Sequence, residues 1–138
     1  MEISQKLKPL VQVLTGILAA FFLLGTPLFA QGVWQAPPDA DGYKNEVKPG
    51  PAAIAAGKKV YNTYCMLCHG EKGDGNGPSG QSLPVKPADF TDKALMKQTD
   101  GSLAWKIVTG RGAMPSWAPV LSEEEVWSVI HYLKEFVK

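Results

Sequence analysis

Thiols and imidazoles are scarce in this chain: two cysteines, Cys65 and Cys68, and two histidines, His69 and His131, among 138 residues. A structural zinc site needs four ligands and would have to recruit every one of them. A disulfide between residues three apart closes almost no loop and stabilises little. A thioredoxin-like dithiol belongs in a βαβ setting, and no strand pattern of useful length occurs, which makes the fold class all-α with long loops. Charge of one sign is missing as well. Setting aside residues 1–30 removes Glu2, Lys6 and Lys8 from 14 basic and 13 acidic side chains and leaves 12 of each, a balance that gives no support for nucleic-acid binding. "GNGPSGQS" lacks the lysine of a phosphate-binding loop. "DGNGPSG" puts Pro78 and Val85 at the fifth and twelfth positions of a would-be calcium loop, where oxygen ligands belong.

What the chain does have begins with a leader. Lys6 and Lys8 precede an apolar run from Leu10 to Leu24 interrupted only by Gln12, Thr15 and Gly16, and Gly25, Thr26 and Pro27 end it before Ala30. This is the layout of an export signal. Residues 1–30 are read as a signal peptide or an uncleaved N-terminal membrane anchor, with residues 10–30 as the membrane segment. Either way, lysines held inside deliver everything after residue 30 across the membrane, to the periplasm. No cysteine stands near Ala30 for a lipid anchor.

Residues 31–50, "QGVWQAPPDADGYKNEVKPG", have no period of 2 or 3.6 and read as an extended Pro/Gly-rich lead. Residues 51–138 form the domain proper. Pro51 suits a first helical turn, and Ile54, Val60, Tyr61 and Tyr64 carry a helical period into "CMLC". Five glycines and three prolines between Gly70 and Pro87 forbid regular structure, so that long loop must lie against something. A short helix is expected from Ser102 or Leu103 to Thr109. The last one opens with a Ser122 to Glu125 capping box and carries an apolar stripe of Val126, Ile130, Leu133 and Val137. The apolar inventory outside the helices is thin for about 108 exported residues, which implies that something other than side chains fills the centre.

The pair of cysteines supplies a candidate. C-x-x-C-H is the signal for covalent haem attachment: thiols at this spacing on a helical turn each add across a haem vinyl group and bring the next imidazole beneath the iron. Cys65 and Cys68 are then thioether anchors and His69 the proximal ligand. A second axial ligand would come from Met66, Met96, Met114 or His131. Met66 lies between the cysteines and points away. Met96 in "KALMKQ" suits packing, and His131 falls on the polar side of the last helix as a surface histidine. Met114, in the glycine-bounded "GRGAMPSW", sits on a loop able to cross the opposite haem face, and it is the expected distal ligand.

With "CMLCH", "GAMP" and the two terminal helices, residues 50–138 resemble a class I c-type cytochrome of the bacterial single-haem kind. The resemblance implies a cytochrome c fold of three to five helices around one haem c, preceded here by an N-terminal hydrophobic helix. It also implies that the first and last helices cross closely, with Gly57 and Tyr61 meeting Tyr132. A proline carbonyl, assigned to Pro87, would accept the second ring proton of His69. Trp105 and Trp117 would line the haem pocket, and Arg111 would stand beside a propionate. The implied function is one-electron transfer in a respiratory or photosynthetic chain, without enzymatic activity. Redox partners would be a membrane quinol-oxidising complex and a terminal oxidase or reductase. The alternatives are a haem subunit of a larger membrane redox complex, or a gas sensor or peroxidase-like enzyme if Met114 does not hold the iron.

Overall fold

A computed structural model describes residues 34–137; the leader, with its expected hydrophobic helix, lies outside the described residues. The described chain is helical with long loops and has no strand, only one isolated bridge between Arg111 and Met114. No helix among the described residues is long and apolar enough to cross a membrane.

The first helix, α1 (Pro51–Val60), starts with a proline at N1 and continues without a break through one wide π turn, Tyr61–Cys65, into α2 (Met66–His69). In the π turn the Met66 N–H reaches back five residues to the Tyr61 carbonyl. Such turns are rare and gather at functional sites. After the glycine loop and two short 3-10 turns comes α3 (Asp100–Thr109), capped by Thr99, whose hydroxyl accepts from the Ser102 N–H at 3.0 Å. It begins two or three residues earlier than its apolar period suggests. Gly101, a poor helix former, is tolerated because the chain packs directly on it: a Cβ there would stand 2.0 Å from the Ala40 carbonyl oxygen. The last helix, α4 (Glu123–Leu133), has the capping box in both directions between Ser122 and Glu125 and runs on into a 3-10 turn over Lys134–Val137.

The core lies between α1 and α4. Val60, Tyr61, Val126, Val129, Ile130 and Leu133 are all buried there, joined by Leu103 and Ala104 of α3. The crossing is set at Gly57, where a Cβ would meet the Ser128 carbonyl oxygen at 2.1 Å, so the two backbones touch. That approach brings the Tyr61 ring edge-on to Tyr132, centroids 5.3 Å apart, although Tyr132 lies off the main apolar stripe of α4.

The lead is not wholly extended. Pro38–Gly42 forms a 3-10 turn whose Ala40 is fully buried. His131 is half-buried rather than a solvated surface residue, and its Nε2 donates to the Val47 carbonyl at 2.7 Å. Because that partner is a backbone atom 84 positions away, the helical wheel carries no sign of it.

Candidate haem-attachment site

Cys65, Cys68 and His69 occupy the end of the continuous α1–α2 run, and the way this end is closed determines the site. A helix terminus leaves its last carbonyls without intrahelical partners. Here the glycine loop satisfies all four. The Gly70 N–H bonds to Met66 at 2.8 Å, Ser79 to Leu67 at 3.0 Å, Gly77 to Cys68 at 3.2 Å and Gly75 to His69 at 2.8 Å. The backbone of the loop must come against the helix end to do this, and at Gly77 a Cβ would lie 2.4 Å from the Leu67 oxygen. The surface the glycine-rich loop needed to lie against is therefore the helix end of the C-x-x-C-H motif.

The loop then returns beneath His69. Its Nδ1 is 3.1 Å from the carbonyl of Ala88. This corrects the assignment to Pro87 by one residue: the Pro87 carbonyl faces Gly75 instead, where a Cβ would sit 2.5 Å from it, and its ring lies against Gly80. A carbonyl only accepts, so Nδ1 carries the proton and Nε2 keeps its lone pair for a metal. Burial pulls the His69 pKa down against the opposing pull of the Ala88 bond, so the ring is neutral at pH 7. The imidazole also stacks on buried Phe90, centroids 4.6 Å apart at 22°. Phe90 and Ala88 were not singled out in the sequence. The phenylalanine of "PADF" offered an aromatic beside the prolines as a signal, whereas a backbone carbonyl offers none.

Both cysteines are free and half-buried. Burial, reinforced by Cys68, pushes the Cys65 thiol up to about 12, so it stays protonated. Among the described residues no three His, Cys, Asp or Glu side chains gather to hold a metal ion, whereas a structural zinc site needs four ligands. Unpaired thiols beside an imidazole with a free Nε2 do fit a covalently held haem.

Met114 lies beyond α3, which ends at Gly110 with φ of 68°. The Arg111 and Met114 backbones exchange hydrogen bonds at 2.9 and 3.1 Å, closing a tight loop with the half-buried Met114 at its end. The loop is stapled back to α3 by Ser116 Oγ on the Val108 carbonyl, 2.5 Å, and by the Trp117 N–H on that of Ile107, 3.2 Å. The half-buried Trp117 ring meets Tyr64, the residue before Cys65, at 5.3 Å, which joins the methionine segment to the cysteine helix. Trp105 stands half-buried on α3, and Arg111 has an exposed side chain on the methionine loop.

Haem attachment uses both free sulfurs and the oriented imidazole, and with the family match over residues 52–133 the chain is a class I c-type cytochrome. It belongs to the family described as "Cytochrome C oxidase, cbb3-type, subunit III", whose pattern matches residues 52–133. The chloroplastic cytochrome c6 of Chlamydomonas reinhardtii is 36% identical over 88 residues, which cover 59% of this chain and 53% of that one, so the chain spans about half of that relative's length. The cytochrome c6 of a Picosynechococcus species is 27% identical over 137 residues, 94% of each chain. The cbb3-type cytochrome c oxidase subunit CcoP of Azospirillum brasilense is 32% identical over 83 residues, 59% of this chain and 28% of that protein. Among solved structures, a chain of the Kuenenia stuttgartiensis reducing HAO-like protein complex matches with a TM-score of 0.57 and 32% identity, over 70% of this chain and 50% of that one. The cofactor of this chain is a single covalent haem c.

Proposed function

We propose that the domain is a one-electron carrier, delivered to the periplasm by residues 1–30 and working in a respiratory or photosynthetic chain between a membrane quinol-oxidising complex and a terminal oxidase or reductase. The observation that carries this reading is the anchored imidazole: Nδ1 of His69 is held by Ala88, and Nε2 is presented beside two unpaired thiols. When bound, haem supplies a reversible ferric–ferrous couple. Cys65 and Cys68 would hold it as thioethers, and His69 and the Met114 thioether would be the ligands of its iron. With both residues bound, the iron would keep no position open for a substrate. Trp105 and Trp117 would help to exclude water from the pocket, and Arg111 would neutralise a propionate.

The test is the visible spectrum of the holoprotein and of Met114→Ala. The wild type should show the weak long-wavelength band of iron–methionine sulfur bonding and no change under carbon monoxide. The variant should lose the band and bind the gas. A wild type that binds carbon monoxide at neutral pH would instead support the sensor or peroxidase-like reading.

The match to a cbb3-type oxidase subunit favours a second reading, a permanent haem subunit of a membrane redox complex. Co-purification with a membrane complex that survives high salt would support it over a mobile carrier.

A further inference from the structure

Residues 40–47 lie ahead of the family span, and nothing in the carrier chemistry uses them. Their contacts converge on one place. The Ala40 and Tyr43 carbonyls press on Gly101, in the first turn of α3, where a Cβ would stand 2.0 and 2.8 Å from them. Asp41 Oδ1 accepts from the Thr99 hydroxyl at 2.6 Å and from the Ser102 hydroxyl at 2.7 Å. The first of these aims the Thr99 proton at Asp41 and leaves an oxygen lone pair for the Ser102 N–H, the capping bond of α3. Asn45 Nδ2 donates to Asp100 Oδ2 at 3.0 Å and to the Trp127 carbonyl at 3.3 Å, while Lys134 binds the other oxygen of Asp100. His131 closes the far end on Val47.

The lead thus clamps the start of α3 to α4. At the other end of α3, about 15 Å away for ten residues, the helix opens directly into the methionine loop, and Ser116 and Trp117, just beyond Met114, bond back to the Val108 and Ile107 carbonyls. A short helix pinned at one end and stapled to a loop at the other transmits its position to that loop.

We propose that Asp41 and Asn45 are positioning residues for Met114: by fixing the first turn of α3 they hold the methionine loop in its ligating place. This rests on Met114 being the distal ligand. Loosening the clasp frays α3 and lets the loop swing, so the iron–sulfur bond opens more often while the cysteine helix, closed by its own glycine loop, stays as it is.

The experiment uses the full-length holoprotein and the variants Asp41→Ala and Asn45→Ala, with Asp41→Asn as the rescue, since its amide oxygen still accepts from both hydroxyls. Two quantities are read: the rate of carbon monoxide binding to the reduced protein, and amide hydrogen exchange. In the alanine variants carbon monoxide should bind roughly tenfold faster or more, and exchange of the 102–114 amides should rise by a similar factor. The amides of Gly75, Gly77 and Ser79 should keep their protection, and Asp41→Asn should restore wild-type rates. Unchanged rates, or loss of protection spread evenly over the domain, would overturn the clasp. If the wild type itself binds carbon monoxide at once, the ligation reading fails and this use of the clasp fails with it; if the wild type is inert and the alanine variants stay inert, only the clasp fails.

Discussion

Replacing Gly57 by alanine tests the central packing claim, because the structure leaves no place for the added methyl group. A Cβ would stand 2.1 Å from the Ser128 carbonyl oxygen, 2.6 Å from its carbon and 3.0 Å from Tyr132 Cβ. The first two atoms are backbone of α4 and cannot rotate away, so α1 and α4 must separate. Reaching 3.4 Å, where ordinary contact begins, takes about 1.3 Å of movement. A gap of that size forfeits a quarter to a half or more of the dispersion energy across the seam between Val60 and Tyr61 on one side and Val129, Ile130 and Leu133 on the other. Alanine recovers about 1 kcal/mol of helix propensity over glycine. Overpacking that side chains can relieve costs about 1–3 kcal/mol; here backbone blocks relaxation and the cost is set at about 3–5 kcal/mol, so after the propensity gain a net loss of about 2–4 kcal/mol is expected. For a domain of about a hundred residues that lowers Tm by roughly 10–25 °C. The assay is thermal unfolding of the holoprotein followed by far-ultraviolet circular dichroism, with Ala56→Gly on the exposed side of α1 as the control for propensity. A Gly57→Ala protein as stable as the wild type, or more stable, would refute the backbone contact and with it the account of how Tyr61 reaches Tyr132.

The fully buried Tyr61 hydroxyl donates to the Gly70 carbonyl at 2.6 Å, and that carbonyl also accepts from Gly73 at 3.1 Å. Tyr61→Phe therefore leaves no orphan and should cost only about 1 kcal/mol in chemical denaturation; a loss above about 3 kcal/mol would mean that the bond organises the turn after His69. Burial raises the Asp100 pKa, but the hydrogen bonds from Lys134 and Asn45, with the charges of Lys134 and His131, outweigh it and hold the group below its ordinary value. A depressed carboxylate contributes stability that is present above the unfolded pKa, near 4, and is lost as pH falls through the folded value. Asp100→Asn should accordingly be less stable than wild type at pH 7, with the difference shrinking below about pH 4 in denaturation measured across pH. A difference constant down to pH 2 would contradict the assignment.

Much of this protein is written locally. Cys65, Cys68 and His69 are contiguous with a helix whose period is plain, so motif and scaffold are legible together. The Ser122–Glu125 box is a matter of three residues' spacing, and the structure contains it in both directions. The glycines and prolines after Gly70 announce a loop that must wrap something. Other features have no local signature. Which carbonyl holds His69 depends on how the 70–87 loop returns, and it returns one residue beyond the expected proline. His131 reads as a surface residue because its partner, Val47, is a main-chain atom from the other end of the domain. Tyr132 reaches Tyr61 from outside its own apolar stripe because two backbones touch at Gly57. Periodicity and motif spacing report what a segment does with itself. Hydrogen bonds to distant carbonyls and backbone-to-backbone contacts depend on where another segment lies, and only the packed chain brings the two together.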